Sequence, residues 1–268
     1  MQNSLINLLV KDKSLSCLRS LVLGGLLTMF ATSATAYIIG STTPGKWGSP
    51  IIGTGAAVTY SFMSDGVSCG FEAECTAGTG LNTSILSGMG AGGVAEIVAA
   101  FDAWSAVADI SFSLVSDDGA AYNAATSSGD IRIGMHDFGD GSGGTLAHAW
   151  YPPNGVTGNT IYGDIHFDTS EIWKTGFGGA GFDIFTVAAH EIGHAIGLAH
   201  TDVVGSLLEP YYTEGFSGPQ ADDIAGAQYL YGAPVTNLVP EPTTSLLLTG
   251  IISLMVCMRR KRSTFKNA

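Results

Sequence analysis

Eleven residues, His190-Glu191-Ile192-Gly193-His194-Ala195-Ile196-Gly197-Leu198-Ala199-His200, carry three imidazoles and one carboxylate in the pattern H-E-x-x-H-x-x-G-x-x-H. On a helix, His190 and His194 lie four apart and so share one face, one turn above the other. Gly197 allows a left-handed backbone that ends the helix and swings the chain round. His200 then approaches from another side, as a tetrahedral zinc site with one open position requires. Three neutral imidazoles leave the charge of zinc uncompensated and bring a bound water toward a pKa of about 7. Glu191, next to the first ligand, can reach a water held on the metal. The motif arises by accident with a probability on the order of 10⁻⁵, so it is specific.

The other three histidines, His136, His148 and His166, stand among Gly and Asp. Imidazoles beside carboxylates and turn-forming glycines suit a closed zinc site next to a hard-cation site, since imidazole favours zinc and carboxylate or carbonyl oxygen favours calcium.

Elements must hold these groups. Asp183 is a good N-cap for the motif helix, which is expected to begin near Ile184. Val58–Phe62 alternates and reads as a strand, as do Asp109–Val115, Asp130–Met135, Leu146–Trp150 and Asp164–Phe167. Val94, Ile97, Val98, Phe101, Trp104 and Ala108 recur at helical spacing, whereas the Gly/Ser/Cys-rich residues 64–93 read as loop. A last helix is expected from Pro219 to about Tyr231, with Asp222 and Asp223 at its positive end. Residues 232–239 form a short linker.

The ends divide the chain into three parts, 1–36, 37–238 and 239–268. Lys11, Lys13 and Arg19 precede the apolar run Leu21–Phe30, and Ala34-Thr35-Ala36 supplies a small-x-small cleavage pattern, so residues 1–36 read as an export signal. At the other end, Val239-Pro240-Glu241-Pro242-Thr243 precedes the apolar stretch Leu246–Met258 and then Arg259-Arg260-Lys261-Arg262. A short spanning helix followed by basic residues fits the positive-inside rule. The arrangement resembles the PEP-CTERM sorting tail of exported proteins in Gram-negative bacteria. That resemblance implies transient residence in the inner membrane and processing by an exosortase-type transpeptidase; an ordinary single-helix anchor is the alternative. Either places the body of the protein outside the cytoplasm, in the periplasm, at the cell surface or secreted.

Between Tyr37 and Leu238 stand three Lys/Arg against 21 Asp/Glu, a formal charge near −18. That argues against nucleic acid or an anionic membrane surface as a partner. Roughly 200 residues are enough for one domain with a real core. Cys17 lies in the signal and Cys257 in the tail, which leaves Cys69 and Cys75 as an expected disulfide closing a small loop.

From about Lys46 to Gly232 the chain resembles the matrixins, the matrix-metalloproteinase branch of the metzincin zinc peptidases, in a bacterial version. The likeness rests on Lys46-Trp47, Thr59-Tyr60-Ser61-Phe62, Ala100-Phe101-Asp102-Ala103-Trp104-Ser105, Gly144–Ala149, Gly163–Asp168, the zinc motif and Asp222-Asp223-Ile224-Ala225-Gly226. It implies an α+β zincin fold, a twisted five-stranded sheet with three helices, and an active cleft under the edge strand Leu146–Ala149, which pairs with an extended substrate. It implies catalytic zinc on His190, His194 and His200, and a structural zinc on His136, His148 and His166 with Asp137 or Asp140 as fourth ligand. Calcium is implied at Asp140, Asp168 and Glu171, and at Asp130 and Asp164. Leu208 stands where the family places a methionine beneath the metal, a change of packing rather than of chemistry. The pocket for the residue after the scissile bond is expected between the motif helix and Pro210–Tyr212. The resemblance thus implies an exported, monomeric endopeptidase acting on proteins or peptides, with Glu191 as general base. A non-catalytic, metal-stabilised surface or biofilm-matrix protein is the rival.

Overall fold

The structure, a computed structural model, describes residues 37–41, 45–153 and 160–235; the expected signal and sorting tail lie outside the described residues. In chain order the elements are β1 (Ile38–Ile39), β2 (Ala56–Phe62), α1 (Ala73–Ala77), α2 (Ile85–Ser105), β3 (Ile110–Leu114), β4 (Ile131–His136), β5 (Ala147–Ala149), β6 (Ile165–Asp168), β7 (Trp173–Lys174), β8 (Phe182–Asp183), α3 (Ile184–Ala195), β9 (Leu198–Ala199) and α4 (Ala221–Tyr231).

Five strands form one sheet in the order β3-β2-β4-β6-β5. The first four run parallel, and β5 joins the edge antiparallel, with His148 opposite His166. The expected α+β architecture with five strands is therefore present. Three of the four helices are those expected, and the fourth, α1, is a single turn of five residues.

Alternation along the two central strands decides which groups meet which side of the sheet. Ile131, Ile133 and Met135 of β4 and Ile165 and Phe167 of β6 point into the main core, with α2 and α3. Arg132 and His136 of β4, His166 and Asp168 of β6, and Asp164 just before β6 occupy the alternate positions, and all are nonetheless buried. Loops cover that second side, where Met63, Val67, Cys69, Cys75, Tyr122 and Ile161 form a smaller cluster. A sheet covered on both sides has to satisfy every polar group it buries.

On the helical side, Phe101 stacks on Tyr60 with ring centroids 4.2 Å apart. Trp104, fully buried, donates its indole N–H to the Ala189 carbonyl at 2.8 Å and so binds α2 to α3. By length and apolar composition α2 could cross a membrane. Its Ile97, Ala100, Phe101 and Trp104 are instead spent on the core.

Helix α2 begins nine residues before the position its periodicity gave. Ser84 caps it by accepting from Ser87 N–H at 3.2 Å, and Asp65 accepts from Ser84 N–H at 2.7 Å. The helix kinks at Gly90, whose φ of 71° only glycine adopts readily. Helix α4 begins at Ala221 rather than Pro219, because the Asp223 carboxylate turns back to accept from Gln220 N–H at 2.7 Å.

Candidate active site

Asp183 starts α3, accepting from Thr186 N–H at 2.8 Å and from the Thr186 hydroxyl at 2.7 Å. Behind this cap the helix is buried nearly all round, so its axis is held rigidly by Val187, Ala188, Ala189, Ile192 and Ala195. It ends at Ala195. Gly197 follows with φ 110°, and a Cβ there would collide with the Gly45 carbonyl. The chain then runs as β9 beside β1, with Ile38 opposite Ala199 and Ile39 opposite Leu198, and delivers His200.

The three imidazoles converge. Nε2 of His190 lies 3.1 Å from Nε2 of both His194 and His200. The tautomers follow from the opposite ring edges. His190 Nδ1 donates to the Leu207 carbonyl at 2.8 Å, and His194 Nδ1 donates to the Leu198 carbonyl at 2.7 Å. Their Nε2 atoms therefore present lone pairs to one point, an arrangement that repels unless a cation occupies it. Two nitrogens about 2.05 Å from a tetrahedral zinc stand about 3.3 Å apart, close to the spacing found, so this donor set fits zinc. Burial pushes His190 down to about 4, and burial with the neighbouring His190 charge pushes His194 down to about 3. Burial lowers His200 as well, so the ligands are neutral at pH 7.

Glu191 is the fourth member. Burial alone pushes its carboxyl up to about 8, and its Oε2 is buried without a hydrogen-bond partner. An orphaned buried carboxylate oxygen costs on the order of 1–3 kcal/mol unless something else uses it. Beneath the site Leu208 is buried, and a Cβ on Gly193 would come within 2.7 Å of its Cδ2. This side chain packs against α3 and offers no ligand atom, as expected for the residue standing in place of methionine.

A cavity of about 700 Å³ opens over these groups. Thr145 and Leu146, which lead into β5, and Ala147 of β5 line one wall, Val187, His190 and Glu191 the floor, and Pro210, Tyr211 and Tyr212 the far end. Among the described residues β5 pairs only with β6, so its other edge faces the cleft.

On the far side of the sheet a second cluster gathers His136, His148 and His166 with Glu72. Glu72 stands 2.6 Å from His136 Nε2, 3.2 Å from His148 Nε2 and 3.0 Å from His166 Nδ1. His136 Nδ1 faces the Asp137 carbonyl at 3.2 Å, so its Nε2 turns a lone pair toward a carboxylate. Burial would raise the Glu72 carboxyl, yet the three imidazoles overcome burial and hold it well below the usual carboxylate range. Burial pushes His166 down to about 4, and its Nε2 has no partner. Four convergent donors, three nitrogens and an oxygen, suit a closed tetrahedral zinc site.

Neither expected fourth ligand joins this group. Asp137 accepts from Gly139 N–H at 2.8 Å and Asp140 from Thr145 N–H at 2.8 Å, so each is spent on its own short turn. Glu72 takes that place. Cys69 and Cys75 are disulfide-bonded as expected, and the closed loop carries Glu72 at its middle. Here sequence reasoning missed a residue, because 64 positions separate Glu72 from His136 and no spacing rule reaches that far. The available signal was an acidic residue inside a loop that the cysteines must hold tight.

The expected calcium ligands divide. Glu171 accepts from Gly143 N–H at 2.6 Å and the Ser142 hydroxyl at 3.2 Å, and Asp168 accepts from Ser170 N–H and hydroxyl, both at 2.8 Å. With Asp140 they surround the loop that leads into β5. Asp130 turns to Thr59, accepting from its N–H and hydroxyl at 2.8 Å, whereas Asp164 turns inward to Arg132 N–H at 3.0 Å. The structure thus engages Asp130 and Asp164 separately. Among the described residues, groups of three or more His, Cys, Asp or Glu donors within 4.8 Å of one another are the two histidine clusters alone.

Comparison with known proteins agrees with this geometry. Residues 91–232 match the family model described as Matrixin. The chain is 43% identical over 148 residues to the hatching enzyme of Paracentrotus lividus, covering 52% of this chain and 22% of that protein. It is 41% identical over 143 residues to macrophage metalloelastase of Rattus norvegicus, covering 52% of this chain and 28% of the relative. Karilysin of Tannerella forsythia is 41% identical over 145 residues, with the same shares of 52% and 28%. The chain therefore spans less than a third of the length of these relatives. A zinc-type histidine triad under an open strand edge and a family match covering 142 of 268 residues lead to one conclusion: this chain belongs to the matrixin family.

Proposed function

We propose that this protein is an exported zinc-dependent endopeptidase that cleaves extended protein or peptide substrates outside the cytoplasm. The observation that carries the reading is the convergence of three Nε2 atoms beside the orphaned Glu191 carboxyl, at the floor of a cleft walled by β5. His190, His194 and His200 would hold zinc. Bound there, zinc supplies a Lewis acid that polarises the scissile carbonyl and acidifies water at neutral pH. The positive charge held by the three imidazoles would offset the burial that raises Glu191, leaving a carboxylate that accepts the proton of the attacking water and returns it to the leaving amine nitrogen. The Leu207 and Leu198 carbonyls keep both helix imidazoles in the ligating tautomer throughout. The open edge of β5 pairs with the substrate backbone, and the recess at Pro210–Tyr212 takes the side chain after the scissile bond.

The same reading assigns a structural zinc to Glu72, His136, His148 and His166, and calcium to the loop clamps at Asp140, Asp168 and Glu171. Support for export is the signal-like start, the sorting tail and a disulfide, which persists in oxidising compartments. A single chain supplies all of the groups named, consistent with a monomer.

The test is digestion of casein and gelatin by the purified protein, with and without a chelator. Cleavage that stops on chelation and returns with zinc supports the proposal. Intact substrate in every arm, from folded and metal-loaded protein, would leave the non-catalytic surface protein as the better reading.

A further inference from the structure

Two recesses flank β5. The first is the catalytic cavity, which reaches the strand at Leu146 and Ala147. The second begins at His148 and Ala149 and continues past the strand to Trp150 and Tyr151, with Phe71, Glu72 and Glu74 of the disulfide loop as its opposite wall. The two are therefore successive stations along β5 and the residues that flank it. Tyr151 ties the second recess to the catalytic histidines, its ring meeting the His194 ring edge-on at 6.0 Å.

The second recess has a definite chemistry. Phe71 is 45% exposed although its ring lies 6.0 Å from the Trp150 ring, so two aromatic rings border open space. Trp150 is held from behind, its indole N–H donating to Glu72 Oε1 at 3.1 Å. Glu72 in turn is fixed by three imidazoles, and the loop itself is closed by Cys69–Cys75. Glu74, two residues on, is exposed on the same wall. Among the described residues, no lysine or arginine lines the recess. Aromatic faces beside a carboxylate, in a domain of strongly negative charge, attract cations.

We propose that the disulfide loop builds the upstream half of the substrate cleft, where Phe71, Trp150 and Glu74 select a lysine or arginine side chain before the scissile bond. This rests on the endopeptidase reading and names the substrate class for that site. An extended peptide paired on β5 places alternate side chains into the two recesses, one on each side of the catalytic groups. The loop works from both faces: Glu72 points inward to the imidazoles, and Phe71 and Glu74 point outward to the substrate.

The experiment uses the purified protein with a fluorogenic peptide library randomised at the positions before the cleaved bond, beside Phe71→Ala and Glu74→Gln. A cation–π contact and a partly exposed ion pair together predict a preference of about five- to tenfold for Lys or Arg at one upstream position. Glu74→Gln and Phe71→Ala each reduce that preference to about twofold or less. In parallel, fluorescein-labelled peptides with Lys or Glu at that position are titrated by polarisation into the Glu191→Ala protein, which reads binding without turnover. Cleavage with no upstream basic preference, or a preference that survives both substitutions, overturns the proposal and leaves the peptidase reading standing. Glu74-dependent binding of the lysine peptide with no cleavage by the unmodified protein upholds the groove and defeats the peptidase reading.

Discussion

Nδ1 of His190 donates a hydrogen bond to the main-chain carbonyl of Leu207 at 2.8 Å. This contact joins the motif helix to the turn that passes beneath the site, and it fixes which ring nitrogen faces the other two imidazoles. Leu208 carbonyl accepts from Thr201 N–H at 3.0 Å, so the same turn is tied to the residue after His200. The turn is thus the common support of the first and third ligands.

Asp223 holds that turn in place. Its buried carboxylate accepts from Leu207 N–H at 2.8 Å, Leu208 N–H at 3.2 Å and Gln220 N–H at 2.7 Å. Asp223→Ala leaves three backbone donors without partners, and an unfolding free-energy loss of about 2–4 kcal/mol is expected in denaturant titration. The three zinc ligands are untouched, yet zinc should exchange faster to a chromophoric chelator, because the His190 carbonyl partner becomes mobile. Unchanged exchange would separate the turn from metal retention.

Glu72 should control the count of tightly bound zinc. Glu72→Ala removes the oxygen donor of the second cluster and strands Trp150 N–H. Elemental analysis after dialysis is expected to find about two zinc ions per chain in the unmodified protein and about one in the variant, since losing one of four ligands opens a closed site. Retention of both ions would mean that the fourth donor lies elsewhere.

The fold was legible where local pattern and tertiary need agree. Asp183 and the four-residue spacing of His190 and His194 located α3 to the residue, and β5 was displaced by only one residue at each end. Leu208 was also placed correctly beneath the site. The first turns of α2 were not legible, because Gly88, Gly90, Gly92 and Gly93 read as loop. Yet Gly88 faces the thioether end of Met135, which an added side chain would have to displace, and packing overrides propensity there. Glu72 was hidden for a different reason. Periodicity reports residues that share an element, whereas Glu72 is brought to the three histidines by a disulfide-closed loop. Asp130 and Asp164, expected as calcium ligands from the resemblance, turn to Thr59 and to Arg132 N–H respectively.

Arg132 and Asp117 make stability depend on acid. Arg132 is 1% exposed, and its Nε and Nη2 donate to the two Asp117 oxygens at 2.8 and 2.9 Å. Burial alone would raise the Asp117 carboxyl, but the Arg132 bonds, Gly119 N–H and the Ser61 hydroxyl outweigh it and hold the group below its ordinary value. A depressed carboxyl stabilises the fold above its unfolded pKa of about 3.9, and that stability is lost as pH falls through the lower folded value. The melting temperature should therefore carry this pair's full, pH-independent contribution between pH 5 and 8 and decline below about pH 4. Asp117→Asn, which leaves a buried guanidinium without its counter-charge, is expected to cost about 3–5 kcal/mol at pH 7 and to flatten the acid decline. An unaltered acid limb in the variant would assign that decline to other carboxylates.

The central claim is that three imidazoles hold zinc while Glu191 moves the proton, and Glu191→Ala tests it most directly when zinc content and peptide cleavage are measured on the same preparation. Zinc is expected to bind as in the unmodified protein, with a cleavage rate lower by about 10²–10⁴-fold, the scale of a lost general base. Cleavage by the variant at the unmodified rate, or a folded unmodified protein that cleaves peptides with no zinc bound, would contradict it.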